Sequence, residues 1–117
     1  MNICYLKDSY NQLFVDTVRA TGGNNTNRCL ICNTYATAST ESALEQYQLP
    51  VDTVENRLIA EVHSYEPYQF CFVEYPDVTT FNGEFSTFNN IEKYLLEKGI
   101  PTIIGEFACY DKNNLSE

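Results

Sequence analysis

The 117-residue sequence has few basic residues, no long hydrophobic run and a single histidine. Seven lysines and arginines stand against 16 aspartates and glutamates, for a formal net charge of -9, so a phosphate backbone would be repelled. No run reaches the roughly 18 apolar residues of a membrane-spanning helix, and the first 20 residues lack the apolar core of a signal peptide. We therefore expect a soluble chain with no nucleic-acid or membrane partner, in a compartment that the sequence leaves unknown.

Cysteine is sparse and odd in number, which predicts free thiols rather than the dense disulfide framework of a small secreted protein. Cys29 and Cys32 have C-x-x-C spacing, but they lie in a segment that is typical of a strand, where residues three apart point to opposite faces. His63 is the one imidazole available. The sequence therefore predicts neither a metal site nor a cofactor.

What is present is enough apolar material for a core, since 44% of the residues are hydrophobic and 14% aromatic. Residues 1–117 are expected to form one small domain without repeats or linkers. Helical patterns are predicted over residues 8–20, 39–49, 87–99 and 111–117. Strand patterns are predicted over residues 28–36, 57–67 and 101–107. Residues 67–82 have no clear period and are predicted to form a long loop.

The first helix and first strand carry more detailed predictions. Tyr10, Phe14 and Val18 follow helical spacing, after a capping Asp or Ser at the start of the segment. The strand over residues 28–36 is a short apolar run of the kind buried on both faces.

Later segments are equally specific. Ser42 and Glu45 have the spacing of a capping box at the start of the second helix. Leu58, Ala60 and Val62 share one face of the second strand, while Ile59, Glu61, His63 and Tyr65 share the other. In the third helix Phe88, Ile91 and Leu95 are aligned, and Gly99 with Pro101 end it.

Alternating helices and strands with these connections predict an α/β fold, a parallel sheet with right-handed crossovers. Both a doubly wound sheet and part of a (β/α)8 barrel fit the pattern. In either architecture the reactive groups gather at the carboxyl ends of the strands.

The residues at the three strand ends are Asn33 to Tyr35, His63 to Tyr65, and Glu106. Parallel neighbouring strands would bring His63, Tyr65 and Glu106 to one edge of the sheet. A carboxylate beside an imidazole and a phenol suits a nucleophile or a base. A purely structural network, with the histidine and tyrosine satisfying a salt-bridged glutamate, fits the same residues.

Three segments carry a family resemblance: NQLFVDTVRATGGNNTNRCLICNTYAT, RLIAEVHSYEP and KGIPTIIGEF. In this order and spacing they resemble the second half of glycoside hydrolase family 5 endoglucanases. The resemblance implies a partial (β/α)8 barrel of about three βα units, with Glu106 matching the catalytic nucleophile. It also implies that His63 and Tyr65 match the active-site pair flanking that nucleophile.

The implied partner is a β-glucan or cello-oligosaccharide, and the implied function is that of a retaining endo-β-1,4-glucanase acting on cellulose or mixed-linkage β-glucan. Substrate contacts are expected from residues at the strand ends and in the aromatic loop: Asn33, Tyr35, Glu66, Tyr68 and Phe70.

The sequence departs from the family in lacking the Asn-Glu-Pro motif of the general acid and in having no tryptophan. Glu61, Glu66 or a second subunit is left to supply an acid. A three-stranded sheet also leaves two open edges and a bare face, so self-association into a homo-oligomer is expected. The alternatives to an enzyme are a catalytically silent carbohydrate-binding fragment and a self-associating fragment that binds no glycan.

Overall fold

Three parallel strands form an open sheet in the order β1-β2-β3. The computed structural model describes residues 3–83 and 85–112. The strands are β1 Leu30–Asn33, β2 Leu58–Ser64 and β3 Thr102–Phe107. The predicted parallel α/β sheet is thereby confirmed, although each strand is shorter than the apolar pattern that predicts it.

Helices precede, connect and flank the strands. The α-helices are α1 Ile3–Ala20, α2 Glu41–Glu45, α3 Tyr68–Cys71 and α4 Thr87–Tyr94, and the 3₁₀ turns are Gly23–Thr26, Tyr35–Thr37 and Leu96–Lys98. α3 lies within the stretch predicted as a loop. The helix predicted over residues 111–117 lies mostly outside the described residues. Within the described ranges, no helix is both long and apolar enough to cross a membrane.

α1 differs from its prediction in start and orientation. It begins at Ile3, upstream of the expected cap. Among residues 6–20 of this helix Val15 is the buried one, at 1% exposure, and Val18 packs against the same core, whereas Tyr10 is 70% exposed and Phe14 42%. Tyr10 and Phe14 thus lie outside the buried core, because helical spacing alone does not determine which apolar stripe faces the core.

The predicted start of the second helix is wrong, whereas the predicted end of the third helix at Gly99 is confirmed. α2 begins at Glu41, so Ser42 lies inside the helix and the predicted capping box is wrong. The chain after α4 turns at Gly99, whose φ of 73° is the left-handed conformation that favours glycine, and Pro101 follows.

The core lies on one face of the sheet, where the helices pack. Leu58, Ala60 and Val62 alternate inward along β2 as predicted. Ala60 and Val62 pack with Leu44 of α2, Ile91 of α4 and Leu95, which follows α4, whereas Leu58 packs with Val15 of α1. Phe88, aligned with Ile91 in the sequence, is instead 60% exposed.

The opposite face of the sheet is uncovered by any described helix and is called here the open face. Ile31 of β1 is 41% exposed and Ile103 of β3 is 37% exposed. The prediction that β1 is buried on both faces is therefore wrong, because its helices lie on one side only. Cys29 is exposed and Cys32 buried, which confirms that the C-x-x-C thiols do not face one another.

Candidate active site

The open face carries a cluster of polar side chains at the carboxyl edge of the sheet. His63 of β2 pairs in register with Glu106 of β3, and Tyr65 follows one residue after β2 ends. Parallel pairing of neighbouring strands thus brings these side chains together, as the sequence predicts.

One hydrogen bond and two close approaches of His63 to carboxylate oxygens connect the cluster. The hydroxyl of Tyr65 donates a hydrogen bond to Oε1 of Glu106. Nδ1 of His63 lies 3.6 Å from Oε2 of Glu106, and its Nε2 lies 3.8 Å from Oε1 of Glu61. The imidazole therefore stands between two carboxylates, and the Glu106 side chain is 55% exposed, the most accessible of the three groups.

A bulge between β2 and β3 shapes this cluster. Val62 pairs with Ile104 while His63 pairs with Glu106, so Gly105 is the extra residue on β3. The side chain of Glu61 passes directly over Gly105, where a Cβ atom would lie 2.7 Å from Cδ of Glu61. The absence of a side chain at Gly105 thus lets Glu61 reach the histidine.

Glu66 is held by the start of α4. Its carboxylate accepts hydrogen bonds from the backbone N–H and the hydroxyl of both Ser86 and Thr87, at 2.7 to 3.0 Å. Burial by itself raises the pKa of Glu66, but these four bonds outweigh it and leave the pKa lowered. The carboxylate serves as the N-terminal cap of the helix.

An aromatic row extends the site along α3. Phe72 lies 5.5 Å from the ring of Tyr65 and stacks on Tyr68 at 4.3 Å between centroids. Tyr68 is 56% exposed, so its ring is accessible beside the cluster. Phe70 is not: it is 9% exposed and packs edge-on against Phe81 at 5.4 Å.

Asn33 and Tyr35 stand at the carboxyl end of β1, which β2 separates from the strand of Glu106. The backbone carbonyl of Asn33 accepts a hydrogen bond from the side chain of Asn11 at 2.9 Å. The side-chain amide of Asn33 donates a hydrogen bond to the hydroxyl of Thr37 at 3.5 Å. Tyr35 is 40% exposed. Both residues share the edge of the sheet with Glu106 without being its neighbours.

The groups gathered here suit chemistry on a neutral polar substrate. An accessible carboxylate held by a phenol is suited to nucleophilic attack, and exposed aromatic rings suit stacking on apolar faces of a ligand. No group of three His, Cys, Asp or Glu side chains in the described part of the chain is placed to hold a metal ion.

Tandem βα units with a carboxylate at a strand end define the class, a parallel α/β protein with its reactive groups at the carboxyl ends of the strands. The model of one family within that class, cellulase (glycosyl hydrolase family 5), matches residues 7–117. The chain belongs to this family, as the sequence motifs indicate.

Relatives of known sequence and structure agree. Endoglucanase 1 of Ruminococcus albus is 36% identical over 114 residues, which cover 94% of this chain and 27% of that protein. A broad specificity endoglucanase from Ruminococcus champanellensis, solved with bound cellotriose, is 42% identical with a TM-score of 0.81, over 95% of this chain and 33% of the other. A xyloglucan-specific endo-β-1,4-glucanase from a metagenomic library, also with cellotriose, is 38% identical with a TM-score of 0.84, at the same coverage.

The chain thus spans between a quarter and a third of the length of these relatives. The solved structures are (β/α)8 barrel enzymes, so the three strands correspond to part of such a barrel.

Sequence reasoning missed three contacts of the site. The sequence partly indicates the hydrogen bonds of Glu66 to Ser86 and Thr87, because Ser-Thr before a helical pattern is a typical cap. It also partly indicates the approach of Glu61 to His63, since both residues share one face of β2. Nothing in the sequence indicates the packing of Phe72 on Tyr65, because that contact depends on how the loop folds back.

Proposed function

We propose that the chain carries the nucleophile half of a retaining endo-β-1,4-glucanase site acting on cellulose or mixed-linkage β-glucan. Glu106 is the nucleophile, and Tyr65 and His63 support it. The observation that carries the proposal is the contact of Tyr65 and His63 with the two oxygens of an exposed Glu106 carboxylate. The relatives, named as endoglucanases and solved with cellotriose, support the substrate class.

In this mechanism Glu106 attacks the anomeric carbon of the sugar and displaces the leaving oxygen, forming a glycosyl-enzyme ester that water then hydrolyses. The hydrogen bond from Tyr65 stabilises the negative charge on the carboxylate and fixes the position of the attacking group. His63 lies 3.6 Å from the second oxygen, on the side of the carboxylate away from the Tyr65 bond. Tyr68 offers its exposed ring to a neighbouring sugar.

Retention requires a second carboxyl group about 5 to 5.5 Å from the first, to protonate the leaving oxygen. Glu66 is committed to four hydrogen bonds at the start of α4. Glu61 is directed to His63 and packs on Gly105. We therefore assign the acid to a carboxyl group other than Glu61 and Glu66, supplied from elsewhere in this chain or by a second copy of it.

The test is release of reducing sugar from carboxymethylcellulose and barley β-glucan by the wild type and by Glu106→Gln. Loss of activity in Glu106→Gln, with activity kept in Glu97→Gln, is the expected result, because Glu97 is an exposed residue of the turn Leu96–Lys98. Equal rates in wild type and Glu106→Gln would exclude Glu106 as the nucleophile.

A second candidate is binding of cello-oligosaccharides without cleavage, favoured by the engagement of both nearby carboxylates, Glu61 and Glu66. It predicts NMR shifts of Tyr65 and Tyr68 on adding cellotriose, with no product formed. Hydrolysis that depends on Glu106 would reject this candidate, and an absence of shifts at millimolar cellotriose would reject it independently.

A further inference from the structure

Two cysteines from distant parts of the chain, Cys71 and Cys109, lie close to one another near the candidate site. Cys71 is the last residue of α3, and Cys109 lies two residues after β3 ends. The backbone N–H of Tyr110 donates to the carbonyl of Cys71 at 2.9 Å, and Sγ of Cys109 lies 3.6 Å from the carbonyl oxygen of Phe70. The Cys109 thiol therefore lies beside the peptide bond between Phe70 and Cys71.

These contacts limit the separation of the two residues. Each Cα is two covalent bonds from one end of the Tyr110–Cys71 hydrogen bond, which keeps the two Cα atoms within about 7 Å of each other. Disulfides span Cα separations of about 4.4 to 6.8 Å. Cys71 and Cys109 also line the same apolar cavity of about 520 Å³.

We propose that Cys71 and Cys109 are a disulfide-forming pair, oxidised by a low-molecular-weight disulfide such as oxidised glutathione. Both are free thiols in the structure. The proposal does not depend on the function of Glu106, because it rests on the placement of the two cysteines alone.

The other described cysteines do not offer such a pair. Cys29 and Cys32 are three residues apart along extended chain, which separates their Cα atoms by about 10 Å and exceeds the reach of a disulfide. Cys32 is fully buried under the helices, at 0% exposure. Cys29 is exposed and lies 3.8 Å from the guanidinium of Arg57.

The exchange proceeds from the more accessible sulfur. Cys109 is exposed, whereas burial, followed by the nearby Cys109, raises the pKa of Cys71. The Cys109 thiolate attacks oxidised glutathione, forms a mixed disulfide and releases one glutathione thiolate. Cys71 then loses its proton and attacks the Cys109 sulfur of the mixed disulfide, which releases the second glutathione thiolate. Two S–H bonds and one glutathione disulfide become one protein disulfide and two molecules of reduced glutathione.

The bond would tie the aromatic row to the strand that bears Glu106. Cys71 lies three residues after Tyr68 and directly before Phe72, and Cys109 lies three residues after Glu106. The bridge would close a loop of about 38 residues, a length for which cross-linking restricts the unfolded chain substantially. Oxidation is therefore expected to hold α3 against the end of β3.

Tryptic peptides separate the cysteines well enough for a direct test. Cleavage after lysine and arginine places Cys71 in residues 58–93 and Cys109 in residues 99–112, while Cys29 and Cys32 share residues 29–57 and Cys4 lies in residues 1–7. The folded chain is equilibrated with oxidised glutathione, alkylated, digested without reductant and analysed by mass spectrometry. We expect peptide 58–93 joined to peptide 99–112, at a mass about 2 Da below their sum.

The control variants are Cys71→Ser and Cys109→Ser, which should lose the cross-link, and Cys29→Ser, which should keep it. Oxidation should also raise the Tm of wild type and Cys29→Ser by about 5 °C or more, and leave Cys109→Ser unchanged. Recovery of both peptides alkylated, or joined to peptides 29–57 or 1–7 instead, would overturn the pairing. A cross-link that forms without raising Tm would overturn the claim that it holds α3.

Discussion

The carboxyl group of Glu61 occupies the space that a side chain at Gly105 would need. A Cβ atom at Gly105 would lie 2.7 Å from Cδ of Glu61, closer than unbonded carbons approach. Glu61 in turn flanks His63, so the glycine at the bulge leaves room for an acid beside the imidazole.

Gly105→Ala should therefore displace the Glu61 carboxyl group and lower the free energy of unfolding by about 1 kcal/mol or less, because the end of a flexible side chain can move aside. In a Glu61→Ala background the space is vacant, and the same change should be neutral or stabilising by up to about 1 kcal/mol, because alanine restricts the unfolded chain. Urea unfolding of the four proteins measures both values. An equal loss in the two backgrounds would mean that Glu61 is not the obstacle.

Tyr65→Phe removes the hydroxyl that donates to Glu106 while keeping the ring that packs on Phe72. A hydrogen bond to a charged group contributes about 1.5–3 kcal/mol, so we expect kcat/KM on β-glucan to fall by about 10- to 100-fold.

The matched control is Tyr94→Phe, because Tyr94 also donates to a glutamate, Glu41, at a position remote from the cluster. It should leave kcat/KM unchanged within about twofold. Similar losses in the two variants would indicate that a general effect of losing a hydroxyl, rather than support of Glu106, is being measured.

Glu66→Gln tests the cap of α4. Four donors face the carboxylate, and the substitution should lower the free energy of unfolding by about 1 kcal/mol at pH 7, a value kept small because the group is partly solvated. The exposed Glu92 of the same helix provides the control, since Glu92→Gln leaves the cap intact.

The pH dependence of that difference has a definite sign. Because the folded-state pKa of Glu66 is lowered, its contribution is complete above the unfolded-state pKa of about 4.3. The contribution is lost as pH falls through the lowered folded-state pKa. The gap between wild type and Glu66→Gln should shrink below about pH 4 in urea titrations, and a gap that widens there would contradict the sign of the shift.

The sequence carries the parts of this site that depend on strand alternation and parallel pairing. Alternation along β2 places His63 and Glu61 on one face, and the end of β3 places Glu106 beside them. Both relations are local, or follow from the order of elements, so they are visible without a structure.

The remaining features depend on tertiary placement. The bulge at Gly105 and the bond between Glu66 and Thr87 join segments whose separation along the chain gives no geometric information. The orientation of α1 is a similar case, because Val15 and Phe14 are adjacent in sequence and only packing determines which is buried. The apolar residues of β1 predict a fully buried strand, whereas in the structure helices cover only one side of it.

The open face and the two sheet edges lead to a prediction about association. We propose that the 117-residue chain forms homo-oligomers, because no strand of the described residues pairs with the outer edges of β1 and β3, and apolar residues such as Ile31 stand exposed beside them. Sedimentation velocity should show a concentration-dependent species larger than the 13.4 kDa monomer.

Ile31→Lys should shift the equilibrium toward monomer by placing a charge on the open face, while Val51→Lys, at a position 79% exposed and outside the sheet, should not. A monomer at all concentrations would contradict the proposal, and equal behaviour of the two variants would show that association uses another surface.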